Sequence, residues 1–124
     1  VTTLFWNRQN EPIEDTLVWA RLYEDVAYRV LAVDSDGPDS PMVSTIWEGL
    51  DRANSLHVTD ETAMIFETAY LENGQVVEAW LAHSEQQALV QHDWACVKFL
   101  HRHSRPEDGH VQTIIENDKR EREK

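Results

Sequence analysis

The pair Asn73-Gly74 constrains this chain more than any other feature of its sequence. Asn and Gly both accept the positive φ of a two-residue type I′ turn, whose twist suits two antiparallel strands. The pair is flanked by MIFETAYLE (64–72) and QVVEAWLAH (75–83), two runs rich in aliphatic and aromatic residues. A β-hairpin is therefore predicted. A flush turn places Phe66 opposite Leu81, Thr68 opposite Ala79 and Tyr70 opposite Val77. On the other side of the ribbon, Glu67 falls beside Trp80, Ala69 beside Glu78 and Leu71 beside Val76. Strand side chains alternate in direction, so the first, nearly all-apolar set reads as the core face.

Something must cover that face, and the next segment is suited to it. Ser84 with Gln87 three residues on forms a capping box, which predicts a helix start. Ala88, His92, Ala95, Cys96, Phe99 and His103 then recur at three- and four-residue steps, with Leu89 and Leu100 alongside. Ser104, Pro106 and Gly109 are expected to end this helix.

Upstream, Leu4, Phe5 and Trp6 read as a docked extended arm. Pro12 suits a first helical turn, and Glu14 and Asp15 suit the positive end of a helix dipole, so a short helix is predicted over 12–23. Val26 to Val33 reads as a strand, DSDGPDSP (34–41) as a loop, Met42 to Leu50 as a second strand, and 51–62 as a surface loop. The fold class is α+β: a short N-terminal helix, an antiparallel meander of three to four strands, and a long C-terminal helix packed on one face. Residues 1–103 form the domain, and 104–124 a charged tail, frayed or disordered.

With 124 residues, 41% hydrophobic, and five Trp, one domain can bury a core without metal or disulfide staples. Cys96 is the only cysteine, which rules out an internal disulfide and favours a reducing compartment. The opening residues show no secretory pattern, and no apolar run approaches the roughly 20 residues of a bilayer span. A cytoplasmic location is expected.

Twenty-three Asp and Glu against eleven Lys and Arg leave a formal charge of −12. Direct binding to nucleic acid, or to an anionic membrane, needs the opposite sign. A protein partner with a basic surface is permitted, and solvation is the ordinary role of such charge.

The familiar catalytic patterns are missing: no GxSxG, no phosphate-cradling Gly array, no HExxH and no paired CxxC. His92 and Cys96 stand at i and i+4, a spacing that metals accept, with His101 and His103 beyond. Their stripe is the one expected to be buried, so neither metal nor cofactor is expected. The outer sheet face is more suggestive. If Val43, Thr45 and Trp47 point inward, Ser44, Ile46 and Glu48 point outward and join Glu67, Glu78 and Trp80, with Asp51 nearby. Carboxylates around an indole suit a cationic group through cation–π attraction. Crowded carboxylates also suit general acid–base work. A solvated face, or one packed on a helix or second subunit, is the plainer reading.

Trp6 to Ile13 (WNRQNEPI), Trp19 to Asp25, Val43 to Asp51 (VSTIWEGLD), Ile65 to Thr68 (IFET) and Glu85 to His92 together resemble a group of small bacterial and bacteriophage proteins, notably actinobacterial ones. The likeness spans roughly residues 4–100. Where many members carry a Gly-rich loop after the G-L-D segment, this chain has ANSLHVTDETA. The resemblance implies a bacterial-host cytoplasmic setting and brings no activity, cofactor or catalytic residue with it. It singles out Trp47, Gly49, Asp51, Phe66 and Glu67 as motif positions.

Three readings follow. The first is a noncatalytic interaction module binding a basic-surfaced host or virion protein through Glu48, Asp51, Glu67, Glu78 and Trp80. The second is a small hydrolase-like enzyme using Glu48, Glu67 and Asp51. The third is an accessory subunit, with a homodimer as its simplest form.

Overall fold

The computed structural model describes residues 4–102. The charged segment 104–124 lies outside them, as do His103 and the Ser104, Pro106 and Gly109 helix stop.

The chain opens with β1 (Phe5–Trp6) and β2 (Pro12–Ile13), an antiparallel ribbon in which Trp6 pairs with Pro12. Pro12 thus lies in a strand, not in a first helical turn. The helix waits for a residue able to cap it. Asp15 accepts the Leu17 amide and starts α1 (Thr16–Glu24). Asp25 then caps again, through the Ala27 amide, and starts the single turn α2 (Val26–Arg29). That second cap corrects the expected strand: Val26 to Arg29 are helical, and β3 runs Val30–Ser35, entering the segment expected to be loop.

A second strand, β4 (Met42–Trp47), pairs with β3 on one side and β5 (Phe66–Glu72) on the other. It stops short of Leu50 because Gly49 takes φ +78°, a left-handed conformation that ends the extended run. Next, β6 (Gln75–Ala82) completes an antiparallel sheet in the order β3-β4-β5-β6, leaving β6 at an edge. The expected α+β architecture, with a sheet backed by a C-terminal helix, is the observed one.

The hairpin turns at Asn73 and Gly74, both at positive φ. Its first two pairs, Glu72 with Gln75 and Leu71 with Val76, are those a flush turn requires. Then the register shifts. Tyr70 pairs with Glu78, Thr68 with Trp80, Glu67 with Leu81 and Phe66 with Ala82, so Val77 is an extra residue in a β-bulge. Beyond the bulge every β6 side chain is turned over. Trp80 shares a face with Phe66, Thr68 and Tyr70, and Glu67 lies on the other.

Helix α3 (Glu85–Leu100) begins at the expected cap: the Gln87 amide donates to Ser84 Oγ, and Gln87 Oε1 accepts from His83 N–H. It ends earlier than its stripe suggested, where His101 takes a left-handed cap conformation. Ala88, His92, Ala95 and Cys96 are its buried positions. They cover Val43, Thr45, Phe66, Thr68 and Tyr70, which with Trp47 face inward from β4 and β5.

At one end of the core, Trp6, Ile13, Trp47, Ile65 and Phe66 pack together. Trp19 of α1 stacks on Phe5 and Tyr23, and Tyr28 meets Trp47 edge-on at 5.0 Å. Arg8 pairs with Glu85 and so ties the N-terminal ribbon to the start of α3. On the opposite face of the sheet, Val26, Val30 and Val33 pack with Met42 and Ile46.

Candidate functional site

The five residues expected to share one surface occupy three places. Glu67 does face outward from β5, with Arg52 3.8 Å from its carboxylate. Glu48 is close enough to feel both. Its carboxyl is raised above its ordinary value, chiefly by burial, with Arg52 opposing and Glu67 reinforcing the shift and Arg29 opposing more weakly. The result is a mixed-charge cluster rather than a pure acidic one.

Asp51 has a local structural role. Its carboxylate accepts the amides of Ser55 at 2.7 Å, Met64 at 2.9 Å and Ala53 at 3.4 Å, closing the loop 51–64. Burial acts to raise its carboxyl, but these amides outweigh burial and hold it below its ordinary value.

Glu78 and Trp80 lie across the sheet from Glu67, on the α3 side. Trp80 meets Trp94 of α3 edge-on at 5.2 Å and tilts against Phe99. Glu78 sits 3.9 Å from Lys98. The expected pairing of Glu67 with Trp80 does not occur, because the bulge at Val77 sends the indole the other way. Glu67 and Trp80 thus stand on opposite faces of the sheet.

A different constellation lies between β3, β4, β5 and α3. His92 Nε2 is 2.7 Å from Asp34 Oδ2, and His92 Nδ1 is 2.8 Å from Thr45 Oγ1. Thr45 in turn contacts Thr68 Oγ1 at 2.8 Å, and Thr68 reaches the Ala88 carbonyl at 3.5 Å. All four side-chain donors and acceptors are at most 1% exposed. Cys96, one helical turn from His92, is also buried and hydrogen-bonded to Asp34. Arg102 lies 3.7 Å from Asp34 Oδ1 and 2.9 Å from Asp36. Polar groups buried this deeply are costly unless paired, so the chain is fully connected for a physical reason. Its arrangement is that of an acid–imidazole–hydroxyl relay, and among the described residues it is buried.

His92 and Cys96 were visible in the sequence as a spaced pair. Asp34 was not, since it opens a run of turn formers and nothing marks it as the last inward residue of β3. Its pairing with Val43 puts it on the α3 side.

The third feature is on the outside. Helix α3 is apolar on two opposite faces. Val90, Trp94 and Val97, at steps of four and three, are 63%, 48% and 46% exposed, on the side away from Ala88, His92 and Ala95. A helix covering a sheet normally presents charge there. The same spacing that flagged the buried stripe could have flagged this one. Trp94 extends the strip towards Trp80 and the edge strand β6, where Gln91 Nε2 donates to the Leu81 carbonyl.

No protein-family model matches this sequence, and neither a curated protein nor a solved structure is significantly similar to it. Among the described residues, no helix is long and apolar enough to cross a membrane.

Proposed function

We propose that this chain is a noncatalytic protein-interaction module, from the bacterial or phage setting that its motifs suggest. It docks through the outer strip of α3 and the adjoining β6 edge, not through the outer sheet face. The observation that carries this reading is Trp94, about half exposed and flanked by Val90 and Val97 on the solvent side of α3. Exposed apolar patches with an aromatic centre and a polar rim are typical of protein interfaces.

The occupant is a protein with an apolar cleft and a basic rim. Within the strip, Lys98 and Glu78 offset one another, whereas the chain as a whole carries −12. An apolar centre would supply affinity, and long-range attraction would supply the encounter rate. Binding of nucleic acid or of an anionic membrane is disfavoured by the same charge. The paired-carboxylate hydrolase reading is the less favoured one, because Arg52 stands beside Glu67 and Glu48 and makes the cluster mixed in charge.

The test is site-directed photo-crosslinking of the whole chain in its own cell, with a benzophenone side chain at position 90 and, as control, at the exposed Arg21. A single basic protein crosslinked from position 90, not from 21, and lost in Trp94→Ser, supports the proposal. Adducts only between copies of this chain would replace it with the homodimer reading. No adduct from position 90 removes it.

A further inference from the structure

We propose that Asp34, His92 and Cys96 form a buried binding site for a zinc-like divalent ion, loaded as the chain folds. This proposal is independent of the docking surface. Its three groups come from β3 and one face of α3, and their ligand atoms all lie within 4.8 Å of one another. A carboxylate oxygen, an imidazole nitrogen and a thiolate are each accepted by zinc and cobalt.

The hydrogen-bond chain can admit an ion by reversing. A carboxylate only accepts, so without an ion His92 donates from Nε2 to Asp34 at 2.7 Å, and its Nδ1 accepts from the Thr45 hydroxyl. With an ion on Nε2 the imidazole proton sits on Nδ1 and donates to Thr45, Thr45 donates to Thr68, and Thr68 donates to the Ala88 carbonyl. Each member of the chain has a partner in both polarities, so entry of the ion orphans no buried group.

The surroundings fit an ion. A metal-bound histidine ordinarily has its other nitrogen fixed by a hydrogen bond, and here Thr45 supplies the partner. Arg102 lies 3.7 Å from Oδ1 of Asp34, and Oδ2 is the oxygen that faces His92. Bond lengths near 2.0–2.1 Å put tetrahedral nitrogen and oxygen ligands about 3.3 Å apart. Entry of the ion thus asks His92 and Asp34 to separate by about 0.6 Å, within reach of small side-chain rotations. On binding, the Cys96 thiol gives up its proton to solvent, the imidazole proton passes from Nε2 to Nδ1, and a water brought in with the ion completes the fourth position. Full burial means the ion is captured during folding, when its binding energy becomes folding energy.

The test uses the full chain, unfolded in denaturant with chelator and then refolded with cobalt(II) alone as probe. The expected result is one cobalt per chain, a thiolate-to-cobalt charge-transfer band, displacement of that band by zinc, and a raised unfolding midpoint. Cys96→Ser should lose the band, while His57→Gln and His101→Gln, altering exposed histidines, should keep it. Should Cys96→Ser not fold, X-ray absorption of the zinc-loaded wild-type chain decides: one sulfur neighbour supports the site, and a shell of nitrogen and oxygen only overturns it. Absence of both the band and any midpoint shift in the wild-type chain overturns it equally.

Discussion

Trp19 closes directly over Gly49. Its indole N–H donates to the Glu48 carbonyl at 3.0 Å, and a Cβ built on Gly49 would lie 2.5 Å from the same nitrogen and from Trp47 Cζ2. Gly49 also has φ +78°, so an added side chain meets strain from the backbone and from two indoles. Gly49→Ala is expected to destabilise the fold by about 3 kcal/mol or more. Gly74 has nearly the same φ, +76°, with nothing within 4 Å of its virtual Cβ. Gly74→Ala should therefore cost only about 1 kcal/mol, the backbone part alone. Urea unfolding of both variants separates the two effects; equal losses would refute the packing explanation.

The Thr45–Thr68 pair gives a second prediction. Replacing Thr45 by the isosteric Val leaves His92 Nδ1 buried without its partner, at an expected cost of about 1–3 kcal/mol. Thr68→Val removes a hydroxyl whose second partner is distant, at 3.5 Å, and should cost about 1 kcal/mol. A Thr68→Val loss exceeding that of Thr45→Val would contradict this ordering of the network.

Glu48 should act against stability at neutral pH. A carboxyl raised in the folded state binds its proton more tightly there than in the unfolded chain. Stability accordingly falls as pH rises from the unfolded value, 4.5, through the folded one, and stays lower above it. Glu48→Gln is expected to stabilise the protein at pH 7 by under about 1 kcal/mol, given its partial exposure, and to show no gain at pH 4. A pH series of thermal midpoints checks the sign.

Asp51 should behave oppositely. Its carboxyl is lowered on folding, so its contribution is present above 3.8 and is lost as pH falls through the folded value. Asp51→Ala should cost about 1 kcal/mol at pH 7, as loss of a side-chain cap does, and less at low pH. Equal cost at both pH values would mean that the carboxylate's charge has no part in closing the loop.

Cys96 is pushed up to about 12, first by burial and next by the neighbouring Asp34. In metal-free, folded protein at neutral pH it should resist thiol reagents, which attack through the thiolate. Labelling is expected only at the rate of unfolding. Fast stoichiometric labelling of native protein would show that α3 opens locally.

Much of this architecture was legible because its signals are local. Asn73-Gly74 names its turn, and Ser84 with Gln87 names the start of α3. What sequence could not show was set by tertiary contact. Asp25 resembles any acid preceding an aliphatic run, yet it caps a second helix. The bulge at Val77 has no mark in QVVEAWLA, and from there the sidedness of β6 was read in reverse, which dissolved the expected Glu67–Trp80 surface. Asp34 looked like turn chemistry until β3 ran through it. The candidate sites proved harder to read than the fold because each depends on which way one residue faces.

Val77 is more than half exposed, so by burial alone a polar residue would serve in its place. Its presence, rather than its chemistry, is what matters. Removing that one codon would swap inside for outside along the remainder of the strand, lifting Trp80 and Ala82 out from beneath the helix and sending Ala79 and Leu81 in. The segment should thus tolerate many substitutions in evolution and very few changes of length.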